Sequence, residues 1–258
     1  MSDILEHVEA GVMTLTFNRI GKKNSITRAM YAMLAEGLER AADNEAVRVA
    51  VIQGDATVFS AGNDLADFQN APAPDKALSG DSPTIRFLHA IATFPKPLVA
   101  AVCGPAVGVG TTMLLHCDLV YAGDNAAFSL PFVNLGLVPE AASSLLLPRL
   151  LGYHRAAEAL LLGEPFMAEA ALEVGLVNRV VPPTECNSLA RQQALKLAAK
   201  PLASLVATKR LMKGGQQGAV LERMREEGAL FGRMLHEPAA KEAFAAFMAK
   251  RKPDFSGL

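Results

Sequence analysis

From 97 to 117 the chain carries no Asp, Glu, Lys or Arg. A charge-free run of that length must either cross a bilayer or lie inside a protein. This one is divided by Pro97, Gly104, Pro105, Gly108 and Gly110. Its first part, LVAAV, reads as a strand buried on both faces, its middle as a glycine loop, and TTMLLHC as a short helix. A buried strand needs neighbouring strands and two covering layers, and no membrane span is expected. With 258 residues, 51% of them hydrophobic, the chain has material for one large domain or a domain with an appendage. The same composition excludes a disordered protein.

Charge and cysteines narrow the setting. Lys+Arg is 25 and Asp+Glu is 26, a net charge of −1, so the basic excess of a nucleic-acid binder is missing. Cys103, Cys117 and Cys186 are odd in number and form no CxxC, which fits a reducing, cytoplasmic location. The N-terminal MSDILEHVEAG is acidic and lacks an apolar core, unlike a secretory signal or transit peptide. The C-terminal Ser-Gly-Leu lacks the Lys of a peroxisomal S-K-L signal.

Alternation makes Val12–Phe17 a strand. Thr27 suits the cap of a helix running to about 42, and 47–52 is a strand rich in β-branched residues. The segment 70–83, rich in Ala, Pro, Asp, Ser and Gly, reads as a mobile surface loop. A helix is expected over 85–93, and short strands over 119–121 and Ala127–Ser129. Beyond Gly136 the pattern is helical over 142–151, 154–162 and 168–174, with one late strand at 177–181. Helices follow over 184–199, from Pro201 to about 212, and on to Lys250 with a break at Pro238. Repeated strand–helix units with a helical tail predict an α/β core over 1–199 and a helical region over 200–258.

Familiar chemical signatures are missing: there is no GxxxxGK[ST], GxSxG or HExxH, and Met113 occupies the third glycine position of a GxGxxG. His116, Cys117 and Asp118 are consecutive, so they point apart and read as a packed helix end, not a metal site. Three features remain. One is the loop Phe59-Ser60-Ala61-Gly62-Asn63-Asp64-Leu65, and the second is the glycine loop after Val102. Backbone N–H groups at such junctions can converge on one oxygen as an oxyanion hole, although the glycines of either loop alone are also explained by tight packing. The third is Glu140, the only charge between Asp124 and Arg149. A desolvated carboxylate suits proton transfer, and a Glu after Pro139 equally suits the first turn of a helix.

These segments, together with Cys117-Asp118-Leu119-Val120-Tyr121-Ala122, Gly175-Leu176-Val177-Asn178 and the terminal Phe247-Met248-Ala249-Lys250-Arg251-Lys252-Pro253, resemble the crotonase (enoyl-CoA hydratase/isomerase) superfamily. The resemblance covers nearly the whole chain. It implies a spiral of ββα units, a C-terminal helical trimerisation region giving a homotrimer or dimer of trimers, and an acyl-CoA thioester ligand. Crotonase-type hydratases carry two acids whose places here resemble Thr112 and Phe132. Pro131-Phe132, Leu135-Gly136, Pro139-Glu140 and Gly62-Asn63-Asp64-Leu65 instead resemble the peroxisomal type of Δ3,Δ2-enoyl-CoA isomerase.

That likeness implies Glu140 as the catalytic base and the N–H groups of Ala61 and Val109 as the oxyanion hole. It also implies Ser60, Gly62, Asn63, Asp64, Leu65, Phe132 and Lys250 as substrate or CoA contacts. No metal, flavin or nicotinamide is needed, since coenzyme A is part of the substrate. The alternatives are hydration or another crotonase-type reaction, with Asp64 or Asp67 as further acids, and a non-catalytic acyl-CoA-binding module.

Overall fold

The computed structural model describes residues 2–65, 67 and 82–258. Its strands are β1 (Ile4–Glu9), β2 (Val12–Phe17), β3 (Val49–Gln53), β4 (Leu98–Val102), β5 (Pro105–Val107), β6 (Leu119–Gly123), β7 (Ala127–Ser129), β8 (Phe166–Met167) and β9 (Arg179–Val181). The helices are α1 (Arg28–Asp43), α2 (Pro83–Thr93), α3 (Val109–Thr112), α4 (Ser143–Leu151), α5 (Tyr153–Ala157), α6 (Ala168–Glu173), α7 (Pro183–Ala198), α8 (Leu202–Gly214), α9 (Gln217–Met234) and α10 (Pro238–Met248). A six-stranded sheet runs β1-β2-β3-β4-β6-β9, parallel except at the β1–β2 edge, and a smaller sheet runs β5-β7-β8.

The charge-free run supplies β4, buried along its whole length. Alternation divides the large sheet between two cores. Met13, Leu15, Ala50, Ile52, Ala100 and Val102 face the α1 and α2 side. Val12, Val49, Val51, Val99 and Ala101 face α7, which presents Cys186, Ala190, Ala194 and Ala198 at helical spacing. Small residues along that stripe let the helix lie close against the strands. Thr27 caps α1 as expected, accepting a hydrogen bond from Met30 N–H.

The two sheets grow together. After β4 the chain enters β5 and then α3; after β6 it enters β7 and, later, α4. After β3 a single residue, Ser60, bridges to Ala106 before the chain reaches α2. Each turn therefore adds one strand to the large sheet, a strand or bridge to the small one, and then a helix. This is the ββα spiral of an α/β protein. After α7 the chain continues as three consecutive helices, α8, α9 and α10. Ala240 and Phe244 join Phe132, Leu137 and Leu147 in a third apolar cluster.

Several elements differ from the sequence reading. β1 has only Ile4 buried, so this exposed edge strand has no apolar alternation to reveal it. β5 and β8 are too short to carry a pattern. The segment TTMLLHC divides into the end of α3 and a 3₁₀ turn, Met113–His116. The stretch 154–162 changes from α5 to a π-turn, Glu158–Leu162. The loop read over 70–83 lies outside the described residues except for Ser82 and Pro83, which begin α2. Among the described residues no helix is long and apolar enough to cross a membrane.

Candidate active site

Three chain segments leave the small sheet at one end, hydrogen-bonded to one another as they go. Val107 N–H donates to Ser60 O (2.9 Å), and Gly108 N–H donates to Ser129 O (2.9 Å). The segments that follow contribute Asn63, Asp64 and Glu140 to a cleft of about 520 Å³. Its apolar wall comes from α2 and α9, with Leu88, Met224 and Phe231 among the lining residues.

In the first loop nearly every polar group is committed. Ser60, fully buried, donates from Oγ to Asn24 O (2.9 Å) and accepts there from Gly62 N–H (3.1 Å). Gly62 O accepts from Ile26 N–H (2.8 Å), and Asp64 N–H donates to Ile26 O (3.0 Å). Gly62 sits at φ +84°, where a Cβ would lie 2.7 Å from Val107 O, so only glycine fits. Ser60 and Gly62 therefore clamp the loops instead of facing a ligand.

The oxyanion donor expected at Ala61 is corrected by the same bonds: Ala61 N–H donates to Lys23 O (2.9 Å). Asn63 N–H has no acceptor among the described residues, and Asn63 lines the cleft. Val109 N–H, in the first turn of α3, likewise has none. Asn63 Oδ1 accepts from the buried Tyr31 hydroxyl, which fixes the side chain against the cleft wall.

The other expected contacts divide. Asp64 lines the cleft but is held by Arg19 (2.6 Å) and Ser25. Asp67, also lining it, accepts from Arg28 N–H (2.7 Å). Leu65 packs against the third apolar cluster, and Phe132 is buried behind the lining residue Phe231, ring centroids 6.5 Å apart. Lys250 is exposed in the turn after α10 and is not among the described cleft-lining residues.

Glu140 is 7% exposed. Burial pushes its pKa up to about 7, against the opposing effect of a hydrogen bond from Thr112 Oγ1 to Oε1 (2.6 Å), with the Glu227 carboxylate raising it further. The next two residues, Ala141 and Ala142, are both left-handed, at φ 59° and 57°. For alanine this costs about 1–2 kcal/mol per residue. Outside groups hold the bend. His116 Nε2 lies 2.8 Å from Ala141 O, and the buried Glu227 carboxylate accepts from Ala142 N–H (2.6 Å). Burial lowers the pKa of His116 to about 4, so the ring is neutral and Nε2–H is the donor.

Thr112, Tyr31, His116 and Glu227 were not read from the sequence as parts of the site. Thr112 stood only where a hydratase acid was missing; His116 and Glu227 meet the turn after Glu140, and Tyr31 meets Asn63, across large sequence separations that no local pattern encodes. Among the described residues no three His, Cys, Asp or Glu side chains are grouped as a metal site.

With this geometry in place the chain can be compared with known proteins. The sequence model of the family described as enoyl-CoA hydratase/isomerase matches residues 7–257. A 2,3-dehydroadipyl-CoA hydratase of Escherichia coli (strain K12) is 34% identical, with all of both chains covered. Enoyl-CoA delta isomerase 2 of Rattus norvegicus is 38% identical over 83% of this chain and 55% of the rat protein. The solved structure of Pseudomonas aeruginosa OdaA superposes with a TM-score of 0.92 at 45% identity, covering 96% of this chain and 99% of that one.

Proposed function

The chain belongs to the enoyl-CoA hydratase/isomerase family, and from that premise we propose that it is an isomerase moving a C3 double bond of an acyl-CoA thioester to C2. The observation that carries this reading is that, of the three described carboxylates lining the cleft, Glu140 alone is bound only by a hydroxyl, Thr112, and by no cation or backbone N–H. Glu140 is buried with a pKa near 7, while Asp64 and Asp67 are engaged by Arg19 and the α1 backbone. Thr112 and Phe132 occupy the places where the resemblance puts the two acids of a hydratase, and neither side chain can serve as a general acid or base at neutral pH.

Ionised Glu140 removes a proton from C2 of the 3-enoyl thioester. The electron pair spreads over C2, C3 and C4 and onto the thioester oxygen as a dienolate. Asn63 N–H and Val109 N–H bind that oxygen; one such donor is worth about 2.7–4 kcal/mol. Protonated Glu140 returns the proton to C4, which gives the conjugated 2-enoyl product and restores the carboxylate. A base with a pKa close to the working pH is matched to both halves of this transfer.

The test pairs one substitution with two substrates. Glu140→Gln keeps volume and polarity but cannot take a proton, so turnover should fall at least about 10²–10⁴-fold while binding of a non-reacting acyl-CoA changes little. The wild type should isomerise a 3-enoyl thioester much faster than it hydrates the 2-enoyl product. Isomerisation by Glu140→Gln at the wild-type rate removes the mechanism. Faster hydration than isomerisation in the wild type instead returns the hydratase reading, and no turnover of either thioester returns the binding module.

A further inference from the structure

The bend that presents Glu140 is made of two left-handed alanines, and alanine has no intrinsic preference for that conformation. Something outside the segment must hold it. Helix α4 begins immediately afterwards, and its capping position, Ala142, offers no side-chain acceptor for the first N–H groups. The acceptor comes from α9. Glu227 reaches across to accept from Ala142 N–H through Oε2 (2.6 Å) and from Ser144 N–H (3.0 Å) and Ser144 Oγ (2.5 Å) through Oε1. It is almost fully buried; burial raises its pKa, the bonds from Ser144 and Ala142 and the nearby Arg223 cation act against that rise, and each bond is stronger when the carboxylate is charged.

We propose that Glu227 is the positioning residue of the reaction: its carboxylate fixes the 141–142 bend and the start of α4, and thereby the aim of the Glu140 side chain into the cleft. The proposal rests on the reading of Glu140 as the base. Two further anchors act on the same turn: His116 on Ala141 O, and Ser143, whose N–H (3.0 Å) and Oγ (2.6 Å) both donate to Glu140 O. Glu227 differs from them in carrying a negative charge that acts on Glu140 itself. It therefore both holds the turn and favours the proton on Glu140.

The groups that bear on Glu140 come from several elements. Thr112 of α3 donates to it, and Tyr31 of α1 feels its charge. Neutral His116 stands one peptide away. On α9, Arg223 donates to Ser144 Oγ (3.2 Å), so a cation flanks the Glu227 anchor. Removing only the charge of Glu227 leaves the others in place.

The experiment compares Glu227→Gln and Glu227→Asp with wild type and with Glu140→Gln, using turnover per folded chain against pH on a 3-enoyl-CoA thioester. Glu227→Gln should lower kcat between about tenfold and a hundredfold, the effect of misaiming a reacting group by about 1 Å, with KM nearly unchanged. The acidic limb of its kcat profile should move to lower pH, because the repulsion on ionised Glu140 is gone. Glu227→Asp keeps the charge but shortens the reach. It should also lose kcat, and exchange of the Ala142 and Ser144 amides should quicken. If Glu227→Gln does not fold, Glu227→Asp carries the test. Loss of stability with kcat, KM and the acidic limb all unchanged overturns the proposal, since a merely structural residue behaves that way. If Glu140→Gln is itself active, the reading of the base fails, and this outcome is separate from any result at Glu227.

Discussion

A carboxylic acid whose pKa is raised by burial is neutral in the fold at a pH where the unfolded chain has already ionised it. For Glu140, with a pKa of about 7 against the ordinary 4.5, the folded protein holds an extra proton between those values. Its contribution to stability therefore falls as pH rises through that window, by an amount on the order of 3 kcal/mol in all. Glu140→Gln should be more stable than wild type at pH 8 and show no advantage at pH 4, read as urea midpoints at unchanged slope. His116 works in the opposite direction. Its pKa is lowered to about 4, so its contribution is complete above the ordinary 6.5 and is lost as pH falls towards 4. Between 4.5 and 6.5 the two offset one another in the wild type, which is why the variant is needed to see either.

Thr112 allows a sharper test of the same carboxylate. Its hydroxyl stabilises the ionised form, and a hydrogen bond to a charged group is worth about 1.5–3 kcal/mol. Thr112→Val should raise the acidic limb of the kcat profile by about one pH unit or more, with activity largely recovered at high pH. An unmoved limb means that the bond is not made in the working enzyme. Glu140 stood out as a lone acid in an apolar stretch, but that pattern equally suits the first turn of a helix, and its role as base came from the family resemblance. Ala61 and Asn63 could not be told apart, because which N–H of a loop stays uncommitted depends on Lys23 and Ile26 folding against it.

Elements are positioned by backbone approaches that tolerate no side chain. Gly104, at φ +63°, precedes β5, and a Cβ there would fall 1.8 Å from Thr57 O. That contact holds the β4–β5 crossing against the loop after β3, where the small sheet begins. Gly104→Ala should destabilise the fold by at least about 2 kcal/mol through forced backbone displacement and a disfavoured conformation. Gly218, exposed at the start of α9 with nothing within 4 Å, is the control: alanine there should be neutral or stabilising by up to about 1 kcal/mol. Urea denaturation of the two variants checks both signs. The long elements were readable because 3.6-residue or two-residue periodicity has room to repeat, as in α1 and β2. The short strands of the small sheet were not all so. β5 is three residues beginning with Pro105, and Ser60 joins the sheet as one bridge, so their pairing exists only once the spiral has closed.

Scattered apolar residues on a surface need no explanation, but adjacent large ones in several elements do. Leu211 and Met212 on α8 are 79% and 66% exposed, and Phe247 and Met248 at the end of α10 are 59% and 63% exposed. α10 already buries Ala240, Ala243, Phe244 and Ala246, whereas α8 buries only Lys209, so much of the surface of both is available to further chains. We predict that the protein is a trimer or a dimer of trimers, with a light-scattering mass three or six times the 27.3 kDa of one chain. Leu211→Lys should shift that mass downward, because a charge in a covered apolar patch has no partner. The same change separates two roles for the C-terminal end. Thr112, His116 and Glu227, which hold Glu140 and its turn, are bonded to it within one chain, and the described cleft residues do not include Lys250. A dissociated Leu211→Lys variant should therefore keep its proton-transfer step and most of kcat. If Lys250 holds CoA phosphate, it must do so from the assembled form. Lys250→Ala should then raise KM in the oligomer, in a manner weakened by salt, and have no further effect on the dissociated variant. A stable wild-type monomer at micromolar concentration removes the trimer, and with it the route by which Lys250 meets the substrate.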